Sequence, residues 1–351
     1  IPYGQSTAGT NRWKAPQPVI SWSDTLNAAV PKSGAACYGD GENYNGTEDC
    51  LYVNVYRPNT TDQNLPVMVY LDGGGNAAGT ANIDFSKFVT TAKTVVVSVE
   101  YRLGAFGYLS HPALQTGTAE ENSGNFTLLD IKAALQWTQE EIGNFGGDAG
   151  NVTLAGFSAG ARNVMLCMIS PQMQGLFHKI IAFSGGCNTC TPQQGEESAE
   201  EKLASILVKR GTYATKKKAL EYIRSADNAA VRDLFYSLTT AEVANMYQSS
   251  ALRFDLFPQG FNDGVVVPKE GFSVIASGNY NRVPVMLGSD ATEFSSFALK
   301  TDMAEALSTA TTTTFDRVMQ LGIRYGSKLQ SAGYIEKTGN LLMQDAMHQP
   351  V

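Results

Sequence analysis

Apolar residues in this chain cluster in short runs separated by longer helical patterns. Residues 65–71 (Leu-Pro-Val-Met-Val-Tyr-Leu) and 94–101 (Thr-Val-Val-Val-Ser-Val-Glu-Tyr) are nearly continuously apolar, as expected of parallel strands covered on both faces. Residues 127–142 carry Leu128, Leu129, Ile131, Leu135, Trp137 and Ile142 mostly at helical spacing, which lets one face of a helix lie on that sheet. With the strand 94–101 before it and a β-prone run at 152–157 after it, that helix makes a strand, helix, strand crossover, and 152–157 leads through a turn into helix-compatible Ala, Arg, Met and Leu at 159–168. Further short strands are predicted at 180–183 and 284–288, the latter as another buried strand.

Residues 196–246 are richer in charge and read as several helices, among them 196–209 and 217–223, with Gly211 as a helix stop. The pattern predicts an α/β protein with a mostly parallel central sheet flanked by helices, forming one domain over 1–351. Residues 191–250 are expected to form a helical cap or insertion. No internal repeat is visible, and the Thr-rich stretch 309–314 is too short for a linker.

The composition suits an ordinary globular enzyme: 351 residues, 43% hydrophobic and 17% charged, enough for one large core or two modest ones. No apolar run approaches the ~20 residues of a bilayer span, and the start, Ile1-Pro2-Tyr3-Gly4, lacks the features of a signal peptide. The net charge is −7, and the densest basic cluster, at 216–218, reads as a solvated helix face. Nucleic acid is therefore not an expected partner.

Candidate chemistry centres on Gly156-Phe157-Ser158-Ala159-Gly160, a GxSxG between the predicted strand and helix. This is the context of a nucleophile elbow, in which a sharp turn lifts the serine toward a substrate carbonyl. A serine hydroxyl needs a base, normally a histidine oriented by a carboxylate, and the oxyanion needs backbone N–H donors already in place. In this arrangement the chain order is serine, acid, histidine. No metal ligand set or organic cofactor is implied: Cys187-Asn-Thr-Cys190 lacks the second ligand pair of a zinc site.

Several separate stretches carry a resemblance. They are 1–4 with 12–18, the segment Glu48-Asp49-Cys50-Leu51-Tyr52-Val53-Asn54-Val55, Gly73-Gly74-Gly75, Glu100-Tyr101-Arg102-Leu103-Gly104, Phe145-Gly146-Gly147-Asp148 and the GxSxG itself. On these the chain resembles the type-B carboxylesterases, α/β-hydrolases that include cholinesterases, fungal lipases and the non-catalytic neuroligins, over nearly its whole length. The resemblance implies Ser158 as nucleophile, Gly74, Gly75 and Ala159 as the oxyanion hole, Glu293 as the acid with Asp290 as fallback, and Ser184 as a serine supporting that acid. It also implies a Cys37–Cys50 disulfide, and through it an oxidising, secreted setting.

The chain departs from the family pattern at three positions. Asp72 and Asn76 flank the glycines where the family has His or Tyr and an aromatic, which points to a more polar acyl side. Phe157 stands where cholinesterases place a glutamate, favouring a neutral or apolar ester over a cationic one. The only histidines are His111, His178 and His348. The first two precede Glu293, and His348 is placed where the family sheet gains a further strand. The resemblance therefore implies a catalytic histidine beyond residue 351, with His348 the candidate inside the chain.

Both ends match interior parts of the family pattern, so a fragment completed by another segment or chain is expected. Cys167 reads as a buried thiol, and Cys187 and Cys190 could pair locally. Sequons at Asn45, Asn59, Asn125 and Asn151 are about as many as composition alone would give. Two rival readings remain: a binding or adhesion protein on this fold, disfavoured by Ser158, Glu293 and the three glycines, and a biosynthetic enzyme using the pocket for elimination, cyclisation or acyl transfer.

Overall fold

A computed structural model describes residues 1–19, 36, 38–247 and 257–289. Its strands are β1 (Tyr38–Asp40), β2 (Asn43–Asn45), β3 (Val53–Tyr56), β4 (Leu65–Leu71), β5 (Val95–Val99), β6 (Gly147–Phe157), β7 (Lys179–Phe183) and β8 (Val285–Gly288). Its α-helices are α1 (Ser86–Ala92), α2 (Gly104–Gly107), α3 (Phe126–Glu141), α4 (Ala159–Ile169), α5 (Pro192–Lys209), α6 (Lys216–Ser225), α7 (Asn228–Tyr236), α8 (Thr240–Ala244) and α9 (Val274–Ser277). β1 and β2 form an antiparallel hairpin. The described central sheet runs β3-β5-β4-β6-β7-β8, parallel throughout except for β3 against β5.

Valine packing explains the middle of this sheet. Every residue of β5 is buried, whereas β4 alternates, with Val67, Val69 and Leu71 in the core and Met68 and Tyr70 only half-buried. β8 forms where the sequence predicts a strand but is not buried: Val285, Met286 and Leu287 are 45%, 58% and 54% exposed. It sits at the edge of the described sheet, bonded to β7 alone, and among the described residues no neighbour covers its other side.

Helix ends follow side-chain chemistry. α5 opens with a capping box, Thr191 with Gln194, and Pro192 as its first residue; α6, α7 and α8 are capped by Thr215, Asp227 and Thr239. Gly211 follows α5 with φ +75°, in keeping with its predicted role as a helix stop. Leu203 and Leu207 of α5 and Ala219 and Ile223 of α6 are buried. Two buried ion pairs join distant segments. Arg102 grips Asp130 through Nε (2.8 Å) and Nη2 (2.6 Å), and Arg12 grips Glu48, which also accepts from Thr240 at 2.7 Å.

Candidate active site

Register brings the predicted residues together. Leu71 of β4 lies beside Gly156 of β6, Phe157 beside Phe183 of β7, and Phe183 beside Gly288 of β8. The turns that follow these strands, at Asp72–Asn76, Ser158, Ser184 and Ser289, therefore open at one edge of the sheet, where α/β proteins place ligands.

Ser158 is the cap residue between β6 and α4, with φ +55° and ψ −120°, a conformation that costs a non-glycine residue about 1–3 kcal/mol. Neighbouring hydrogen bonds hold it there: its N–H donates to Phe183 O (2.8 Å), and its carbonyl accepts from Arg162 N–H (3.0 Å). The turn is too tight for side chains on either side. A Cβ at Gly160 would stand 2.1 Å from Leu71 O, and one at Gly156 would stand 2.5 Å from Gly160 C.

The glycine turn lies against the serine, since a Cβ on Gly73 would be 3.0 Å from Ser158 Cβ. Gly74 has φ +96°, and a Cβ there would meet Ala78 O at 2.1 Å. Tyr101 Oη anchors the turn by donating to Asp72 O (2.6 Å). Among the described residues, the N–H groups of Gly74, Gly75 and Ala159 donate to no acceptor.

A buried amide network behind this turn was not foreseen in the sequence. Asn76 Nδ2 donates to Asn163 Oδ1 (3.1 Å) and Gln259 Oε1 (2.5 Å), and Asn163 Nδ2 returns a bond to Asn76 Oδ1 (2.9 Å). Tyr108 Oη donates to Asn163 Oδ1 at 3.0 Å. Asn76 is fully buried, so its polar atoms are consumed within the protein and do not make the pocket more polar, as its sequence position suggested. The available signal was Asn163, a polar residue in the otherwise largely apolar α4.

Ser184 also adopts a positive φ, +55°, and its N–H donates to Gly288 O (2.8 Å). It thus stands beside the strand that leads toward Glu293. Glu293, Asp290, His348 and Cys37 lie outside the described residues.

The two described histidines have structural partners. His178 Nδ1 accepts from Val152 N–H (3.1 Å); Val152 is six residues before Ser158 on an extended strand, about 20 Å away at ~3.3 Å per residue. His111 is buried against Phe235, its Nδ1 accepts from Ala113 N–H (3.0 Å), and burial pushes its pKa down to about 4. His111, Glu196 and Glu200 offer ligand atoms within 4.8 Å of one another. With Nδ1 already accepting, however, the neutral ring carries its proton on Nε2 and acts there as a donor rather than a metal ligand.

Other features differ from expectation. Cys187 and Cys190 are free thiols rather than a local pair, and burial raises both pKa values. Cys167 is fully buried, as predicted. Asn125 cannot carry a glycan: it is buried, and its Nδ2 donates to Phe261 O (2.8 Å) and Asp263 Oδ1 (3.0 Å). Phe157 is 46% exposed and is not a core side chain. Among the described residues, no helix is long and apolar enough to cross a membrane.

Comparison with known proteins places the chain among relatives. A family model described as the carboxylesterase family matches residues 1–344. Para-nitrobenzyl esterase of Bacillus subtilis (strain 168) is 34% identical over 84% of this chain and 58% of its own length. Liver carboxylesterase of Sus scrofa is 32% identical over 84% of this chain and 53% of its own. Acetylcholinesterase of Bungarus fasciatus is 33% identical over 82% and 48%. A solved PNB esterase superimposes with a TM-score of 0.75 at 28% identity, covering 99% of this chain and 70% of that one. The chain thus spans about half the length of the curated relatives it matches.

Proposed function

Because the chain belongs to the carboxylesterase family and has its α/β-hydrolase fold, we propose that the protein is a serine hydrolase that cleaves carboxylic esters through an acyl-enzyme on Ser158. The observation that carries this reading is the strained Ser158 turn set against the glycine turn, with the N–H groups of Gly74, Gly75 and Ala159 free to bind an oxyanion.

In this reading Ser158 Oγ attacks the ester carbonyl while a histidine takes its proton, and the negative charge passes to the carbonyl oxygen held by the three N–H donors. Collapse of this intermediate breaks the bond to the alcohol, which leaves with the proton from the histidine. Water, deprotonated by the same histidine, then releases the acid. Glu293, supported by Ser184, orients the imidazole. The local partners of His111 and His178 argue against either as the base, so it lies elsewhere in the intact protein.

The same reading takes 191–250 as a cap over the site within one domain, and Cys37–Cys50 as a disulfide of an exported protein. It takes the substrate to be a small ester, neutral or apolar rather than cationic. A fluorophosphonate probe tests the core of the proposal: it labels Ser158 of the full-length protein, and labelling disappears in Ser158→Ala. An intact protein that resists the probe would show that the site is not a serine hydrolase.

A further inference from the structure

Arg162 lies one helical turn beyond Ser158 on α4 and is only 8% exposed. Its Nε is sealed from solvent and has no hydrogen-bond partner among the described residues. Burial lowers its pKa, and among the described residues the groups that act on its charge are Tyr108, Cys190 and Cys187, none of them a carboxylate. Three acids among the described residues are already committed. Asp130 is held by Arg102, Asp263 accepts from the N–H groups of Val265, Val266 and Val267, and Glu200 pairs with Arg224.

A second orphan donor lies on the adjoining segment. Gln259 is 2% exposed; its Oε1 is used by Asn76, but its Nε2 has no partner among the described residues. The segment is tied to Cys190, whose N–H donates to Gly260 O (3.1 Å) and whose thiol feels the charge of Arg162. Gly186 lies against the guanidinium: a Cβ there would be 3.1 Å from Asn188 Oδ1, 3.6 Å from Arg162 Nη2 and 3.8 Å from Nε. A buried guanidinium without a counter-anion is costly, and two buried donors without acceptors add to that cost. The N-terminal turn of α4 contributes further positive potential to the same region.

We propose that Arg162, assisted by Gln259, is a carboxylate-binding subsite, and that the preferred esters carry a carboxylate a few bonds from the scissile carbonyl. This rests on Ser158 being the nucleophile. It departs from the neutral or apolar ester that Phe157 favours and makes the substrate anionic.

The test compares kcat/KM of the full-length protein on 4-nitrophenyl hydrogen glutarate with 4-nitrophenyl butyrate, and on 4-acetoxybenzoate with phenyl acetate. The wild type is expected to prefer the anionic member of at least one pair. Arg162→Met should cut that preference by about 10- to 100-fold, the usual effect of losing a charge-assisted hydrogen bond, and Arg162→Lys should restore part of it. Thermal unfolding of each variant checks that it folds.

Equal preferences in wild type and Arg162→Met would overturn the subsite. So would Asp255→Asn reproducing the Arg162→Met changes in a protein with no anionic preference, because the chain's own carboxylate would then be the counter-ion. Calorimetry with glutarate on Ser158→Ala separates the two proposals. Binding lost on adding Arg162→Met, in a protein that hydrolyses no ester, would sustain the subsite and sink the hydrolase reading. Labelled Ser158 without glutarate binding or selectivity would do the reverse.

Discussion

Asn76 and Asn163 hold each other by reciprocal amide hydrogen bonds of 3.1 and 2.9 Å, linking the glycine turn to the helix that follows the nucleophile. The pair fixes the spacing between the glycine turn and the start of α4, the two halves of the proposed oxyanion site, because one asparagine belongs to each.

Truncating one partner should therefore affect both stability and rate. Asn163→Ala leaves the Asn76 amide and Tyr108 hydroxyl short of a partner in a buried site, costing about 1–3 kcal/mol in urea unfolding. If the pair positions the oxyanion donors, kcat falls more than KM rises, and Asn76→Ala with Asn163→Ala is non-additive. A purely structural role would show as lost stability with kcat unchanged.

Backbone strain at Ser158 predicts an opposite effect on stability. With φ +55° and ψ −120°, Ser158→Gly removes a side-chain penalty and should raise the unfolding free energy by about 1 kcal/mol while abolishing fluorophosphonate labelling. A variant less stable than wild type would show that the turn is not strained.

Gly160→Ala should fail to accumulate as a native protein. Its Cβ would fall 2.1 Å from the carbonyl oxygen of Leu71, a backbone atom of a central strand that no rotamer change can move aside. Soluble yield and near-ultraviolet circular dichroism report the loss; a native spectrum with wild-type stability would contradict the close approach.

Glu100 predicts a pH dependence. It is buried, accepts from Ala36 N–H (2.8 Å) and Ala81 N–H (2.7 Å), and burial raises its pKa from 4.5 to about 7. Between these values the folded chain holds the proton more tightly than the unfolded one. Its contribution to stability is thus full below pH 4.5 and is lost as pH rises through about 7, by about 3 kcal/mol in all. Glu100→Gln cannot titrate, and its amide nitrogen cannot accept from either N–H. The variant should be less stable than wild type at pH 5, with the difference shrinking toward pH 8 because it lacks that slope. Urea unfolding from pH 5 to 8 checks this, and an equal slope in both proteins would remove Glu100 as its source.

Much of the fold was legible because its signals are local. The valine run at β5, the helical spacing of α3 and the Gly-x-Ser-x-Gly between strand and helix each depend on residues a few positions apart. Less local features were misread for the same reason. The apolar run of β8 looks like any buried strand, but its exposure depends on its position at the edge of the described sheet. A sequon at Asn125 satisfies its three-residue rule, but its side chain is claimed by Phe261 and Asp263, more than 130 positions away.

The sequence by itself determined the elements, the serine and the glycines, because strand runs, helical periodicity and tight-turn sterics are written in neighbouring residues. Only the tertiary structure decided the surroundings of that serine. It joined Asn76 to Asn163 and Gln259, gave His111 and His178 to the backbone, and left Arg162 buried without an acid among the described residues. Hydrogen bonding and burial are properties of approach in space, and residues 87 and 183 positions apart carry no mark in the sequence that they will meet.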